Sequence, residues 1–184
     1  MADEYRVLFV CTGNICRSAY ADVVARARGV AGVAFSSAGT HAVVGAGLNP
    51  PMAAHLPDGV TPRHRARQLT QALAEEADLI VAMDASHRRY VFEEWQELGT
   101  KTFVIGHVAR ELGRLPEGVD IDGLAAHLWR NRAASAGDGV ADPYGRGPVA
   151  AATAAREIDE RLAPLLAVLR RLSRGSIGFD TPVR

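Results

Sequence analysis

Cysteine is scarce: Cys11 and Cys16 are the only two in 184 residues. That excludes a disulfide-stapled secreted scaffold and makes reactive chemistry the better use for the pair. Neither sign of charge is in excess, with 21 basic and 21 acidic residues and a formal net charge of zero. Nothing therefore drives the whole chain toward nucleic acid or an anionic membrane, although a local basic patch remains open. No apolar stretch approaches the ~20 residues that span a bilayer, so no membrane insertion is expected. Met1-Ala2-Asp3-Glu4 is acidic and leads straight into an apolar run. It does not read as a signal peptide, and a cytoplasmic protein is expected. What is present is ordinary for a globular chain: 48% apolar and 23% charged residues. The length suits one domain with a substantial core.

The apolar pattern predicts strands at 7–10, 33–37, 79–83 and 101–105, the last the weakest. Helices are expected at 19–28, around 52–56, at 68–76 and from Asp84 to about Glu97. Ser18 is a candidate cap for the first helix, Gly29 its stop, and Asp84 the cap of the fourth. The stretch 106–139 is punctuated by Asp-Gly and Pro-Glu-Gly, which suggests loops around one short helix near 124–132. Ile158, Leu162, Leu165, Leu166, Leu169 and Leu172 recur at helical spacing, with Pro164 expected to kink that last helix. Residues 173–184 are polar, hold two glycines and a proline, and are expected to fray. The expected organisation is one domain over 1–172 and a tail over 173–184. Alternation of strand and helix predicts an α/β fold: a three-layer open sheet of about four parallel strands with helices on both faces. In such folds ligands bind at the carboxyl ends of the strands.

The first strand runs into Cys11-Thr12-Gly13-Asn14-Ile15-Cys16-Arg17-Ser18. A cysteine, five residues, an arginine and a serine at a strand-to-helix turn suit a phosphate-binding loop. A thiolate is favoured by a helix N-terminus and by a guanidinium, and both stand beside Cys11. The Ser18 hydroxyl can donate a hydrogen bond to the sulfur. Gly13 lets the backbone turn inward, so that successive N–H groups make an anion nest. Arg17 offers a planar fork to two phosphate oxygens, which lysine cannot do. A lone cysteine is more often a buried core residue, but small polar neighbours are unlike a core. Other phosphate and metal motifs fail: no Gly-Lys-Ser/Thr, no G-x-G-x-x-G after the first strand, no C-x-x-C and no H-E-x-x-H. The chemistry expected is phosphoryl transfer to a thiol, with no metal and no cofactor.

These residues resemble the low-molecular-weight protein tyrosine phosphatases. Beyond the loop, Ser37-Ala38-Gly39-Thr40, His64-Arg65-Ala66-Arg67-Gln68-Leu69, Ala77 to Asp84 and Asp142-Pro143-Tyr144 resemble further family segments, in family order. The run from Ser37 to Pro50 most resembles bacterial members tied to exopolysaccharide control. The resemblance implies that Cys11 attacks phosphorus to form a phosphocysteine. It implies that Asp142 protonates the departing phenolate, and that Arg17 and the loop N–H groups hold the equatorial oxygens. It also implies that Asn14 holds the loop through Ser18, Ser37 and His64, although His64 equally reads as a solvent-facing histidine in a basic run. Cys16 is implied to be an oxidation partner of Cys11, or a small filler under the loop, or both. The implied partner is a phosphotyrosine protein, with a tyrosine kinase as the enzyme opposed.

Ile15 bears on the substrate. The arginine-phosphate phosphatases of this family carry Thr there, whereas an apolar branched side chain suits the flat face of a phenol. Phosphotyrosine is therefore the first expectation. Val43 stands where many members place a bulkier wall, and Gly145 where some carry a second aromatic. Tyr144 is then the main ring for stacking, and small phosphate esters stay open as substrates. An arsenate reductase of the thioredoxin-coupled type shares such a loop but needs further cysteines downstream, and none follows Cys16. A catalytically dead binding module would be expected to lack Cys11, Arg17 or Asp142, and all three are here. No role is assigned to residues 113–138, which look longer than usual for the family.

Overall fold

The computed structural model describes residues 4–133 and 135–176. Four strands, β1 (Tyr5–Cys11), β2 (Val33–Gly39), β3 (Leu79–Ala82) and β4 (Thr102–Val104), form one parallel sheet in the order β2-β1-β3-β4. Tyr5 stands opposite Val33 and Cys11 opposite Gly39, while Val7 pairs with Leu79 on the other side. The chain leaves β1 for one neighbour and later returns to the other. The carboxyl end of β1 is thus a switch point, where a crevice opens between loops that run in opposite directions. Cys11 ends that strand.

Alternate residues of β1 feed the two faces. Val7 and Phe9 join a cluster with α1 (Arg17–Arg28), α2 (Pro50–Ala53), α5 (Ile105–Leu112), α6 (Leu124–Arg130) and α7 (Gly147–Ser176). Leu8 and Val10 join a smaller one with α3 (Gln71–Glu76) and α4 (Ala85–Glu94). Both faces are covered, which is why residues 7–10 of β1 and all of β3 are apolar and buried rather than alternating.

Three sequence-based expectations need correction. Ser18 does not cap α1: the cap position is Cys16, which makes no side-chain capping bond, because the Ser18 hydroxyl turns to Cys11 instead. Residues 106–139 hold two helices rather than one. In α5, Ile105, Val108 and Leu112 are buried at helical spacing, but Gly106 in its first turn masks the signal. The fourth helix stops at Glu94 and gives way to a 3-10 segment, Gln96–Lys101. Two caps stand as expected: Asp84 accepts from the N–H groups of Ser86 and His87, and Gly29 closes α1 with φ 56°. α7 runs on as one helix through Pro164 and through Ser173–Ser176. The rest of the segment expected to fray, residues 177–184, lies outside the described residues.

Candidate active site

The loop after β1 folds around Asn14, which takes a left-handed conformation with φ 52°. Asparagine tolerates this better than most residues, and three contacts hold it. Its Nδ2 donates to Ser18 Oγ at 2.9 Å, its Oδ1 accepts from Arg67 N at 3.0 Å, and its carbonyl accepts from His64 Nε2 at 2.6 Å. Burial lowers the His64 pKa, so the ring is neutral with its proton on Nε2. Ser37, expected in the same network, lies one step away: its hydroxyl donates to Asp22 Oδ2 at 2.9 Å, and its carbonyl accepts from Arg67 Nε at 2.8 Å. β2 comes close behind the loop. A Cβ on Gly39 would stand 3.0 Å from Asn14 N and closer still to Thr12 O.

Cys11 Sγ lies 2.9 Å from Ser18 Oγ. Because Ser18 accepts from Asn14, its own hydrogen is free to point at the sulfur. Among the described residues, no protein group accepts from the backbone N–H groups of Gly13 through Ser18. These donors and the uncapped start of α1 form a concavity suited to an anion. Cys16 is buried within the core cluster, and its thiol is pushed up to about 12 by burial and by the neighbouring Cys11. It stays protonated and is not a competing nucleophile.

Arg17 is 3% exposed. Its Nη1 donates to Asp84 Oδ2 at 2.9 Å and to the Val140 carbonyl at 3.1 Å, and its Nη2 lies 3.2 Å from Asp142 Oδ2. Its Nε is buried and has no protein acceptor. A donor in that state is costly unless something else accepts from it. An oxyanion bound over the loop would do so, alongside the free N–H groups.

Asp142 reaches this point on the loop before α7, anchored by Val140 N–H to the Met83 carbonyl at 2.8 Å. Its side chain is 46% exposed, and its Oδ1 accepts from Tyr144 N at 3.2 Å. A cleft of about 230 Å³ is lined by the loop residues Cys11, Thr12, Gly13, Ile15, Cys16 and Arg17, together with His41, Val43, Asp142 and Tyr144. Tyr144 is 62% exposed on the rim, so it does not pack on the sheet edge. The structure therefore brings together Cys11, Arg17, Asp142, Ile15, Val43 and Tyr144, which are up to 133 residues apart in the chain.

Residues 6–120 match the sequence model of the low molecular weight phosphotyrosine protein phosphatase family. The chain belongs to this family. It is 32% identical over 164 residues to a protein-arginine-phosphatase of Geobacillus stearothermophilus, covering 89% of this chain and 94% of that one. It is 48% identical over 92 residues to a low molecular weight protein-tyrosine-phosphatase of Streptomyces coelicolor, covering 46% of this chain and 56% of that one. Among solved structures, the YwlE arginine phosphatase of Geobacillus stearothermophilus superposes with a TM-score of 0.74 at 24% identity, over 96% of this chain and 99% of that one. The tyrosine phosphatase Wzb of Escherichia coli K30, in complex with sulphate, gives 0.67 at 24% identity, over 92% and 99%. At those identities the two structures show the fold.

As a low molecular weight phosphatase, the protein is a hydrolase of a family that works through a phosphocysteine without metal. Cys11 occupies the loop after β1. Asp142 lies beyond the residues that the family model matches, so its place in the site rests on the geometry above. No group of three or more candidate metal ligands occurs among the described residues, and none of their helices is long and apolar enough to cross a membrane.

Several site residues escaped the sequence reading. Asp84 was legible only as a helix cap, yet it also pairs with Arg17. Burial alone would raise its pKa, but the Ser86 hydroxyl, His87 and Arg17 outweigh that and lower it. His87 is buried on α4, with Nε2 2.9 Å from Thr12 Oγ1, and its Nδ1 lies 3.1 Å from Asp84 Oδ1 without hydrogen-bond alignment. Burial pushes its pKa down to about 4, against the pull of Asp84. Asp22 was missed too. It sits mid-helix on α1 and looks like a surface acid, but it binds Ser37 and Arg26.

Proposed function

We propose that this enzyme removes the phosphoryl group from phosphotyrosine in proteins, with Cys11, Arg17 and Asp142 as its catalytic residues. The observation that carries the proposal is the buried Arg17 Nε, without a protein acceptor, beside a loop whose N–H groups are also unclaimed. In the first step a lone pair of the Cys11 thiolate forms the P–S bond as the bond from phosphorus to the phenol oxygen breaks. Asp142 gives that oxygen its proton. In the second step water attacks phosphorus, Asp142 takes the water proton, and the P–S bond breaks to return the thiolate and free phosphate. Arg17 and the N–H groups of the loop meet the equatorial oxygens where charge redistributes. A bound phosphoryl dianion occupies the Arg17 fork that Asp142 now faces, and stands beside Asp142 as an anion. Thr12 orients the loop rim through His87, and Asn14, Ser18, Ser37 and His64 keep the loop in shape.

Ile15 and Val43 support a phenol ring as the leaving group. Gly13 brings both together, since a Cβ there would touch Ile15 Cγ1 at 3.4 Å and Val43 Cγ2 at 3.8 Å. Tyr144 offers a ring for stacking at the mouth. Phosphoarginine is the second reading, favoured by the near full-length similarity to a protein-arginine-phosphatase. A guanidinium leaving group would gain from a polar wall, and Ile15 supplies none. Rates on matched phosphotyrosine and phosphoarginine peptides decide between them. Phosphotyrosine is expected to be faster, and Ile15→Thr is expected to narrow the gap. Equal or faster turnover of phosphoarginine by the unaltered enzyme refutes the argument from Ile15. By the same reading the protein acts opposite a tyrosine kinase, in the cytoplasm.

A further inference from the structure

Beside the catalytic cleft lies a wider, open groove of about 550 Å³, lined by Gly45, Gly47, Pro62, Arg63, His64 and Arg65. Its two walls are tied together: Gly45 N–H donates to the Ala66 carbonyl and Ala66 N–H to the Ala46 carbonyl, each at 2.8 Å. It adjoins the phosphate loop through hydrogen bonds. His64, in its wall, donates to the Asn14 carbonyl at 2.6 Å, and Val43, in the wall of the cleft, donates its N–H to the Gly13 carbonyl at 3.0 Å. A Cβ on Gly45 or on Gly47 would meet nothing within 4 Å, so both lie against open space.

The charge of this groove is uncompensated. Among the described residues, the Arg63 and Arg65 guanidinium groups have neither a hydrogen-bond acceptor nor a carboxylate partner. Their neighbours Arg26 and Arg67 are committed, to Asp22 and to the Ser37 carbonyl. Asp58 is the only acidic residue between positions 38 and 74. Exposure alternates along the wall: Arg63 and Arg65 face outward while His64 and Ala66 turn in. That is the habit of extended backbone, in which every second side chain shares a face about 7 Å apart. An extended peptide carrying carboxylates at every second position repeats at the same interval.

We propose that the groove of Arg63 and Arg65 binds acidic side chains that flank the phosphotyrosine of a protein substrate. This rests on the phosphotyrosine reading above. The two arginines take no part in the chemistry. They select and orient the chain that carries the phosphate, and they raise its encounter rate through an uncancelled positive field.

The test compares kcat/KM on two phosphotyrosine peptides, one flanked by alternating glutamates and one by alanines, for the unaltered enzyme and for the Arg63→Ala/Arg65→Ala double variant. p-Nitrophenyl phosphate serves as the control. The unaltered enzyme is expected to prefer the acidic peptide by about fivefold, mainly through KM, as befits two exposed ion pairs. The double variant is expected to lose that preference while its turnover of p-nitrophenyl phosphate and of the alanine peptide is unchanged. High salt is expected to erase the preference in the unaltered enzyme. Equal rates on the two peptides, or an acidic preference that survives in the double variant, overturn the proposal and leave the phosphatase reading standing. Absence of turnover on both peptides and on p-nitrophenyl phosphate overturns both.

Discussion

Arg17 is committed on one side and free on another: Nη1 braces the site against Asp84 and Val140 and Nη2 pairs with Asp142, while the buried Nε has no protein acceptor. Its planarity matters as much as its charge. Arg17→Lys is expected to lower kcat/KM on p-nitrophenyl phosphate by about 100-fold or more, the usual cost of losing an aligned donor to a developing oxyanion. Asp142→Asn is expected to lower kcat by about 100-fold with little change in KM. The loss should be larger on phenyl phosphate than on p-nitrophenyl phosphate, because the poorer leaving group needs the proton more. An equal loss on both would argue that Asp142 only positions Arg17. At this scale Cys11, Arg17 and Asp142 were legible in the sequence because their types and local motifs are chemically unusual. Asp84 and His87 were not. Asp84 is fully explained locally as a cap, and its pairing with Arg17 spans 67 positions that only the sheet order brings together.

The carboxyl ends of the strands fix the site through close backbone approaches. β2 ends at Gly39, where any side chain would strike Thr12 and Asn14. Gly39→Ala is expected to push the phosphate loop out of shape and cut activity far more than it lowers thermal stability, a contrast that kinetics and melting curves on one preparation would reveal. The Asp142 loop has a similar brace. Gly106 N–H donates to the Asp138 carbonyl at 2.9 Å, and the Asp138 carboxylate, buried, pairs with Arg110 of α5. Arg110→Ala is expected to cost about 2 kcal/mol of stability, since it leaves that carboxylate without its charged partner. It should also lower kcat several-fold, by loosening the loop that carries Asp142. Unchanged kcat would show that the loop holds its place without α5. The strands and α1 were readable because apolar runs and a terminal glycine announce them. The helix α5 was not, although its buried face repeats regularly. It follows β4 without a capping residue, and its Gly106 is there to let the Asp138 backbone approach.

Across the whole molecule, three histidines are held neutral by burial, His64, His87 and His107, and all have lowered pKa values. The unfolded chain takes up protons on these rings more readily than the folded one. Stability therefore rises with pH through that interval and falls on acidification. For His87 the interval runs from its ordinary 6.5 down to about 4. A lowered melting temperature between pH 6.5 and 4 is expected, with His87 contributing on the order of 2 kcal/mol. In His87→Asn the decline should be shallower, and an unchanged slope would show that His87 is protonated in the fold. The chemistry is most directly tested by the mass of the intact Asp142→Ala enzyme, acid-quenched during turnover of p-nitrophenyl phosphate with EDTA present. One phosphoryl group, mapped to Cys11 and absent when Cys11→Ala is combined with it, is the predicted result. A phosphoryl group on another residue, or sustained turnover by Cys11→Ala alone, would contradict it.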